Sequence, residues 1–89
     1  MKVTIQLPAM LRRHVDDQEC VDVTATTVGE AIDTLCDRYE ALRRRLLQPN
    51  RRLRPSIAIF VNNAQPRAKP DTTLSDGDTL VVLQPVGGG

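Results

Sequence analysis

Aromatic residues are scarce in this sequence, which has one Tyr, one Phe and no Trp among 89 residues. A core must therefore be aliphatic, and the aromatic platforms on which single-stranded nucleic acids stack are missing. No apolar run approaches the length of a transmembrane helix. The start, MKVTIQLP, alternates polar and apolar residues and lacks the apolar centre of a signal peptide. These absences predict a cytoplasmic protein that binds neither nucleic acid nor a membrane.

Residues typical of metal sites and catalysis are also few. Cys20 and Cys36 form neither a CxxC pair nor a zinc-ligand spacing. We expect both to be reduced, small hydrophobic residues in the cores of a strand and a helix, and neither to donate sulfur. His14 is expected to be an exposed loop residue, because the sequence offers it no fellow ligands. Ser56 and Ser75 show no context typical of a catalytic triad, so no catalytic residue and no metal site are predicted.

Length and composition predict one globular domain. The chain is 40% hydrophobic and 26% charged, with a net charge of +1, which is an ordinary balance for such a domain. We place this domain at residues 1–85 and a flexible glycine tail at residues 86–89.

The first quarter of the chain predicts a hairpin. Residues 3–7 alternate apolar and polar as far as Pro8, and a second short strand over residues 20–24 is expected to pair with them. Between these strands we expect a loop in which Met10 and Leu11 turn inwards.

A helix is expected to follow the hairpin. Thr27 and Glu30 have the spacing of a capping box, in which each side chain accepts a hydrogen bond from the other residue's backbone N–H. The apolar residues that follow lie on one helical face: Ala31, Ile32, Leu35, Cys36 and Tyr39. Residues 41–47 are expected to continue as a helix or as a separate turn that ends before Pro49.

Two continuous apolar runs, residues 57–61 and 80–83, predict buried, central strands. Between them, Leu74 is expected to reach the core, and Gly77 to allow a tight turn with positive φ. The element order predicts an α+β fold, a mixed sheet of four to five strands with one main helix packed on one face. If the helix is a crossover, the first and last strands lie side by side and parallel in the middle.

The sequence closes with TLVVLQPVGGG, from Thr79 to Gly89, which holds three of the five glycines. Without a Cβ, a glycine tail is flexible and thin enough to enter a narrow channel, and its terminal carboxylate has no side chain beside it. A frayed terminus or a cloning remnant would explain the glycines without a function. The residues that precede the glycines favour a functional tail.

Those residues resemble a known family. The series Asp76-Gly77-Asp78, Leu80, Pro85-Val86 and Gly88-Gly89 is similar to the closing motif of the MoaD/ThiS sulfur-carrier proteins. The similarity also covers the V-x-I strand, the capped helix at Thr27 and the strand end Phe60-Val61-Asn62. The Gly-Gly pair alone would be weak evidence for this family, but the whole series, at the end of a sequence of 89 residues, is specific for it. Gly87 stands where relatives often carry Ala or another small residue, and residues 7–18 look most like the carrier of the thiocarboxylate-dependent cysteine pathway.

The resemblance implies a ubiquitin-like β-grasp fold and a carrier that is itself a substrate. An E1-like adenylating enzyme, the first implied partner, would activate the Gly89 carboxylate with ATP and magnesium, and sulfide or a persulfide would then displace AMP. The resulting thiocarboxylate would be presented on a tether of Pro85, Val86, Gly87 and Gly88. The carrier itself would bind no cofactor.

The resemblance also implies a second partner, an enzyme that accepts the sulfur for cysteine, thiazole, molybdopterin or a secondary metabolite. A pyridoxal-phosphate-dependent cysteine synthase is one candidate. A metalloprotease that releases the product or trims the tail is a further candidate partner.

Elementary chemistry agrees with an activated tail. A terminal α-carboxyl group has an ordinary pKa of about 3.3–3.7, so it is ionised at neutral pH and is a poor electrophile. It needs activation before sulfur can attack. Pro85 cannot donate a strand hydrogen bond and so marks where the sheet ends.

Two other functions compete with the carrier. A ubiquitin-like protein modifier would use the same activation and join Gly89 to a lysine of a target. Only Lys2 and Lys69 could link copies of this chain to one another, which favours the carrier. A plain interaction domain with an inert tail is the other alternative.

Arginines crowd the middle of the chain: Arg38, Arg43, Arg44, Arg45, Arg51, Arg52 and Arg54. They could dock an acidic partner, bind nucleic acid or form a solvated helix face, and the sequence alone favours the solvated face. Docking next to the tail is expected instead from exposed apolar residues of the sheet, which the sequence does not single out.

Overall fold

The computed structural model describes residues 1–50, 52–62 and 68–84. The elements in chain order are β1 (Lys2–Gln6), α1 (Ala9–Arg12), a 3₁₀ turn (Arg13–Val15), β2 (Cys20–Thr24), α2 (Val28–Arg38), α3 (Glu40–Leu46), β3 (Ala58–Val61) and β4 (Thr79–Leu83). The strands form one sheet, and the helices pack on one of its faces. None of the helices in these ranges combines the length and apolarity needed to cross a membrane.

The sheet has the strand order β2-β1-β4-β3. β1 pairs antiparallel with β2 and parallel with β4, where Ile5 lies beside Leu80. The predicted parallel pairing of the first and last strands in the middle is therefore confirmed. The prediction that β3 is central is wrong, because β3 pairs only with β4 among the strands of the described ranges and lies at the edge.

The segment between β1 and β2 is more regular than the predicted loop. It forms α1 and the 3₁₀ turn, which together bury Leu11 and Val15. Met10 was expected to turn inwards but is 44% exposed, because it precedes Leu11 on a short helix that buries Leu11 instead. His14 lies in the 3₁₀ turn and is half-buried rather than in an exposed loop.

The predicted helix cap is present in a modified form. The Thr27 hydroxyl accepts a hydrogen bond from the Glu30 N–H at 3.2 Å, and α2 begins at the next residue, Val28. The Glu30 carboxylate accepts from the N–H of Thr26 at 3.2 Å, one residue earlier than the capping box predicts. The Thr26 hydroxyl donates to the same carboxylate at 3.3 Å. The carboxylate therefore ties the chain before α2 to its first turn.

The core is aliphatic, as predicted, and lies between the helices and the inner face of the sheet. The predicted stripe of α2 is buried except for Tyr39, which is half-buried at the junction with α3. α3 adds Leu42 and Leu46, and Leu74 reaches the core as expected.

The turn that leads into β4 is hydrogen-bonded to β1. Gly77 has a φ of +89°, as predicted for a tight turn, and its N–H donates to the Lys2 carbonyl at 2.8 Å. The Lys2 N–H in return donates to the Asp76 carboxylate at 2.8 Å. Two residues further along β1, the Thr4 N–H donates to the Asp78 carbonyl at 2.9 Å. The Asp-Gly-Asp motif thus sets the position of the last strand against the first.

Candidate functional site

The predicted tail lies outside the described residues. This holds for all five predicted site positions: Pro85, Val86, Gly87, Gly88 and Gly89. The structure does describe β4 and Gln84, which directly precede them. The site can therefore be built from the strand that carries the tail.

The start of β4 is fixed by Asp78. Its carboxylate accepts from the Ser75 N–H at 2.8 Å and from the side-chain amide of Asn62 at 3.0 Å. The Ser75 hydrogen bond, followed by the Asn62 hydrogen bond, lowers the pKa of Asp78 below its ordinary value. The Asn62 amide oxygen in turn accepts from the Thr79 N–H at 2.9 Å. These bonds join the end of β3 to the start of β4.

The register of β4 decides which of its apolar residues face the helices. Leu80 and Val82 are buried in the core, so Val81 and Leu83 lie on the opposite, helix-free face. On that face Phe60 lies opposite Val81, and Ala58 lies opposite Leu83. We call these four residues, Ala58, Phe60, Val81 and Leu83, the apolar sheet patch.

The apolar sheet patch is accessible next to the tail. Leu83 is 45% exposed, and Phe60 and Val81 are half-buried, whereas Ala58 is buried. Apolar side chains left uncovered beside one another are typical of surfaces that bind partners. The sequence does not single out these residues, because a continuous apolar run conceals which strand positions face the helices. The alternation of burial along β4 is the signal that separates them.

The two cysteines differ in their surroundings, and both are free thiols. Cys36 is one of the buried residues of α2, and burial raises the pKa of its thiol to about 11. Cys20 was expected in a strand core but is exposed, because it alternates with the buried Val21 onto the outer face of β2. In the part of the chain that the structure describes, no cluster of His, Cys, Asp or Glu side chains could hold a metal ion.

Comparison with solved structures defines the class of protein. SAMP1 from Haloferax volcanii superposes with a TM-score of 0.88 at 27% identity, over the full length of both chains. A chain of the Amycolatopsis orientalis BexX/CysO complex matches with a TM-score of 0.84 at 31% identity, covering 98% of this chain and 99% of that one. Together with the mixed sheet and its packed helices, these matches confirm the predicted ubiquitin-like β-grasp fold.

Sequence comparison gives the family. The model of the ThiS family matches residues 5–89. Sulfur carrier protein CysO of Mycobacterium tuberculosis is 32% identical over 93 aligned positions that cover both chains completely. The chain therefore belongs to the ThiS family, and the predicted sulfur-carrier role is confirmed. The curated CysO relatives are named sulfur carrier proteins, which are carriers rather than enzymes.

Proposed function

We propose that this protein carries sulfur as a thiocarboxylate formed at Gly89. The observation that carries the proposal is the family match, which runs through the sheet and on to Gly89 itself. In the first step a carboxylate oxygen attacks the α-phosphorus of ATP, and pyrophosphate leaves. In the second step sulfide attacks the carbonyl carbon, and the bond to AMP breaks. The products are the thiocarboxylate, AMP and a proton.

The fold suits a carrier because it combines a fixed strand with a glycine-rich end. β4 is held between β1 and β3, and its start is held by Asp78 and Asn62. The strand therefore gives the tail a rigid origin, while the glycines give it little bulk. The reacting group is the terminal carboxylate, so the chain needs no catalytic side chain. Because activation consumes ATP, we place the reaction in the cytoplasm.

We further propose that the activating enzyme binds the apolar sheet patch. Binding there would bring the enzyme against the strand that precedes the tail, and it would cover Leu83, an exposed large hydrophobic residue two positions before Pro85. The partner would be an E1-like enzyme that uses ATP and magnesium. For the acceptor we propose a pyridoxal-phosphate-dependent cysteine synthase, since residues 7–18 resemble the carrier of the cysteine pathway and the CysO proteins are full-length relatives. A metalloprotease that trims the tail or releases the product would be the third partner.

Intact-protein mass spectrometry tests the carrier chemistry. The full chain is incubated with ATP, magnesium, sulfide and the host's adenylating enzyme, which is shown to be active on its known carrier. We expect a mass gain equal to the replacement of one oxygen by sulfur, located in the C-terminal peptide. A chain without Gly89 should keep its unfolding temperature and gain no mass. Sulfur incorporation by that shortened chain would disprove the proposal.

A pair of matched variants tests docking. Leu83→Asp places a charge in the apolar sheet patch, and Thr24→Asp places the same charge at an exposed position on the same sheet face of β2. With the enzyme limiting, we expect Leu83→Asp to slow sulfur incorporation by about tenfold or more, because burying an unpaired charge at an interface is costly. Thr24→Asp should react at the wild-type rate. Equal rates for the two variants would place docking elsewhere.

Protein modification is the second candidate function, and one comparison favours it. SAMP1 of Haloferax volcanii, named a small archaeal modifier protein, is similar over its whole length. A modifier would pass the activated Gly89 carbonyl to a lysine ε-amine, with loss of AMP and formation of an isopeptide bond. A denaturing gel of cells that express the tagged chain would show a series of conjugates for a modifier and none for a carrier. A plain interaction domain would keep every partner when Gly88 and Gly89 are removed.

A further inference from the structure

The arginine-rich segment gives the chain a strongly uneven charge. Residues 40–54 contain six arginines and one carboxylate, Glu40, and so carry a net charge of +5. Because the whole chain carries +1, the remaining residues together carry −4. A segment of such charge attracts anionic partners, and the excess is local rather than a property of the whole protein.

The structure gathers most of these arginines at the C-terminal end of α3. We call Arg43, Arg44, Arg45, Arg52 and Arg54 the arginine cluster; Arg51 lies outside the described residues. Arg44, Arg45 and Arg52 are exposed, and within residues 1–50, 52–62 and 68–84 none of the three forms an ion pair. The cluster is therefore available to a partner.

Two members of the arginine cluster are held in place. Arg54 donates its backbone N–H to the Leu46 carbonyl and its Nε–H to the Arg44 carbonyl, each at 2.8 Å. Arg43 donates to the Asp37 carboxylate at 2.6 Å. Arg54 thus caps the last turn of α3 and keeps its guanidinium beside Arg44. Side chains fixed in this way lose less entropy when they bind a partner than free side chains do.

Three members of the cluster, Arg43, Arg44 and Arg54, line a cavity of about 350 Å³. Its lining residues are Arg43, Arg44, Leu47, Gln48, Pro49 and Arg54. Three guanidinium groups and an amide supply donors, Leu47 and Pro49 supply an apolar wall, and none of the lining residues is acidic. A carboxylate offers only acceptors and matches the planar fork of arginine.

Compensation of the helix dipole accounts for only part of this arrangement. It explains cations in the last turn of α3. It does not account for Arg52 and Arg54, which follow the helix, or for the cavity that Arg54 lines together with Arg43 and Arg44 of that turn. Sequence alone favours a solvated face for these arginines, and the concave, partly fixed geometry is what argues for binding.

We propose that the arginine cluster docks an acidic segment of a partner protein, with one Asp or Glu carboxylate seated in the cavity. This proposal does not depend on the thiocarboxylate chemistry. α3 packs on the helix-covered face of the sheet, whereas the apolar sheet patch lies on the helix-free face. The two surfaces can therefore be occupied at the same time.

The molecule fits an acidic protein better than a nucleic acid. Its two aromatic residues cannot form a stacking platform at the cluster, since Phe60 belongs to the apolar sheet patch and Tyr39 lies at the opposite end of α3. The net charge of −4 outside residues 40–54 would repel a long phosphate backbone. A short acidic segment would contact the arginine cluster alone and would avoid this repulsion.

NMR titration of the ¹⁵N-labelled full chain tests the proposal, with a hexaglutamate peptide and a short DNA duplex as probes. We expect the peptide to saturate at one per chain, to shift amide signals of residues 43–54 and to bind more tightly than the duplex. Affinity should fall severalfold between about 50 and 200 mM salt. Tighter binding of the duplex would replace the proposal with a nucleic-acid surface, and a lack of saturation would overturn it.

Matched variants separate this surface from general charge attraction. R44E/R45E and K2E/K69E change the net charge equally, and the lysines lie outside the arginine cluster. We expect R44E/R45E to weaken peptide binding by about tenfold or more and K2E/K69E by less than about twofold. R44K keeps the charge but loses the fork, so it should weaken binding severalfold. Equal effects of the two double variants, or full affinity of R44K, would overturn the carboxylate site; unfolding curves of each variant provide the check on folding.

Discussion

Asn62 and Asp78 bind each other where β3 ends and β4 begins. The Asn62 amide donates to the Asp78 carboxylate at 3.0 Å, and its oxygen accepts the Thr79 N–H at 2.9 Å. Asn62 has a φ of 52°, a left-handed conformation that asparagine adopts more readily than most residues. The pair therefore holds the end of β3 against the start of β4.

The Asp78 carboxylate predicts a dependence of stability on acid. Its pKa is lowered by the Ser75 N–H and the Asn62 amide, so its ionised form stabilises the folded state. That contribution is present above the ordinary aspartate pKa of about 3.9 and is lost as the pH falls through the lower, folded-state value. Asp78→Asn should be less stable than the wild type at pH 7, and the difference should narrow at low pH. Urea unfolding across this range measures it.

The control for Asp78→Asn is Asp33→Asn, which changes an exposed carboxyl group on α2. Asp33→Asn should cost less stability than Asp78→Asn at pH 7, because Asp33 is exposed whereas the Asp78 carboxylate accepts two hydrogen bonds. A gap between Asp78→Asn and the wild type that stays constant with pH would show that the ionised form of Asp78 contributes nothing special.

Leu35 and Leu83 form a matched pair for the packing of α2 and the apolar sheet patch. Leu35 is fully buried, and Leu83 is 45% exposed. Leu35→Ala should lower the free energy of unfolding by about 2–5 kcal/mol, because it leaves a cavity in the core. Leu83→Ala should cost less than about 0.5–1 kcal/mol. Similar urea midpoints for the two variants would contradict the assigned orientation of α2.

The thiols should react at very different rates. Cys20 is exposed, while Cys36 is buried with a pKa raised to about 11. Iodoacetamide at mildly alkaline pH should modify Cys20 alone in the folded protein and both cysteines in urea, as read by intact mass; Cys20→Ser should remain unmodified when folded. Burial favours the neutral thiol of Cys36 in the folded state. The resulting contribution to stability is present below the ordinary thiol pKa near 9 and is lost as the pH rises through about 11. Rapid native modification of Cys36 would mean that α2 opens readily.

Removal of the Thr27 hydroxyl should weaken the start of α2. Thr27→Ala leaves the Glu30 N–H without its side-chain acceptor and should lower the free energy of unfolding by about 0.5–2 kcal/mol. Thr27→Ser keeps the oxygen and should lie close to the wild type. Chemical denaturation of the three proteins makes the comparison, and equal losses for Ala and Ser would assign the effect to the methyl group rather than to the cap.

Structural features that depend on neighbouring residues in the chain, such as helix caps and turns, can be predicted from the sequence. The Thr27 cap, the buried stripe that contains Leu35 and the positive φ of Gly77 all follow from short-range rules, and all are present. The alternation of side chains along β2 also indicates that Cys20 is exposed. Val21 and Val23 are buried, so Cys20 lies with Asp22 and Thr24 on the outer face. The strand period, rather than the apolar character of cysteine, therefore decides where Cys20 lies.

Position within the sheet depends on longer-range pairing and was predicted less well. The apolar run of β3 is typical of a central strand, but β3 lies at the edge of the sheet and its Phe60 belongs to the apolar sheet patch. On the outer edge of β3, the Ile59 carbonyl accepts a hydrogen bond from the Ala68 N–H. α1 has four residues and no side-chain cap, so the sequence pattern does not indicate it. The apolar sheet patch became visible only once the register of β3 against β4 was known.

The order in which the strands are synthesised differs from their order in the sheet. β4 is made last, yet it lies between β1 and β3, and without it β3 has no partner in the described sheet. A nascent chain that stops short of residue 79 could form the first hairpin but could not close the sheet, because the closing contacts join the two most distant strands. The domain therefore cannot complete its sheet until β4 has been synthesised. A folded domain is evidence that the strand preceding the tail has already been made, so a partner that recognises the apolar sheet patch avoids chains that lack this strand.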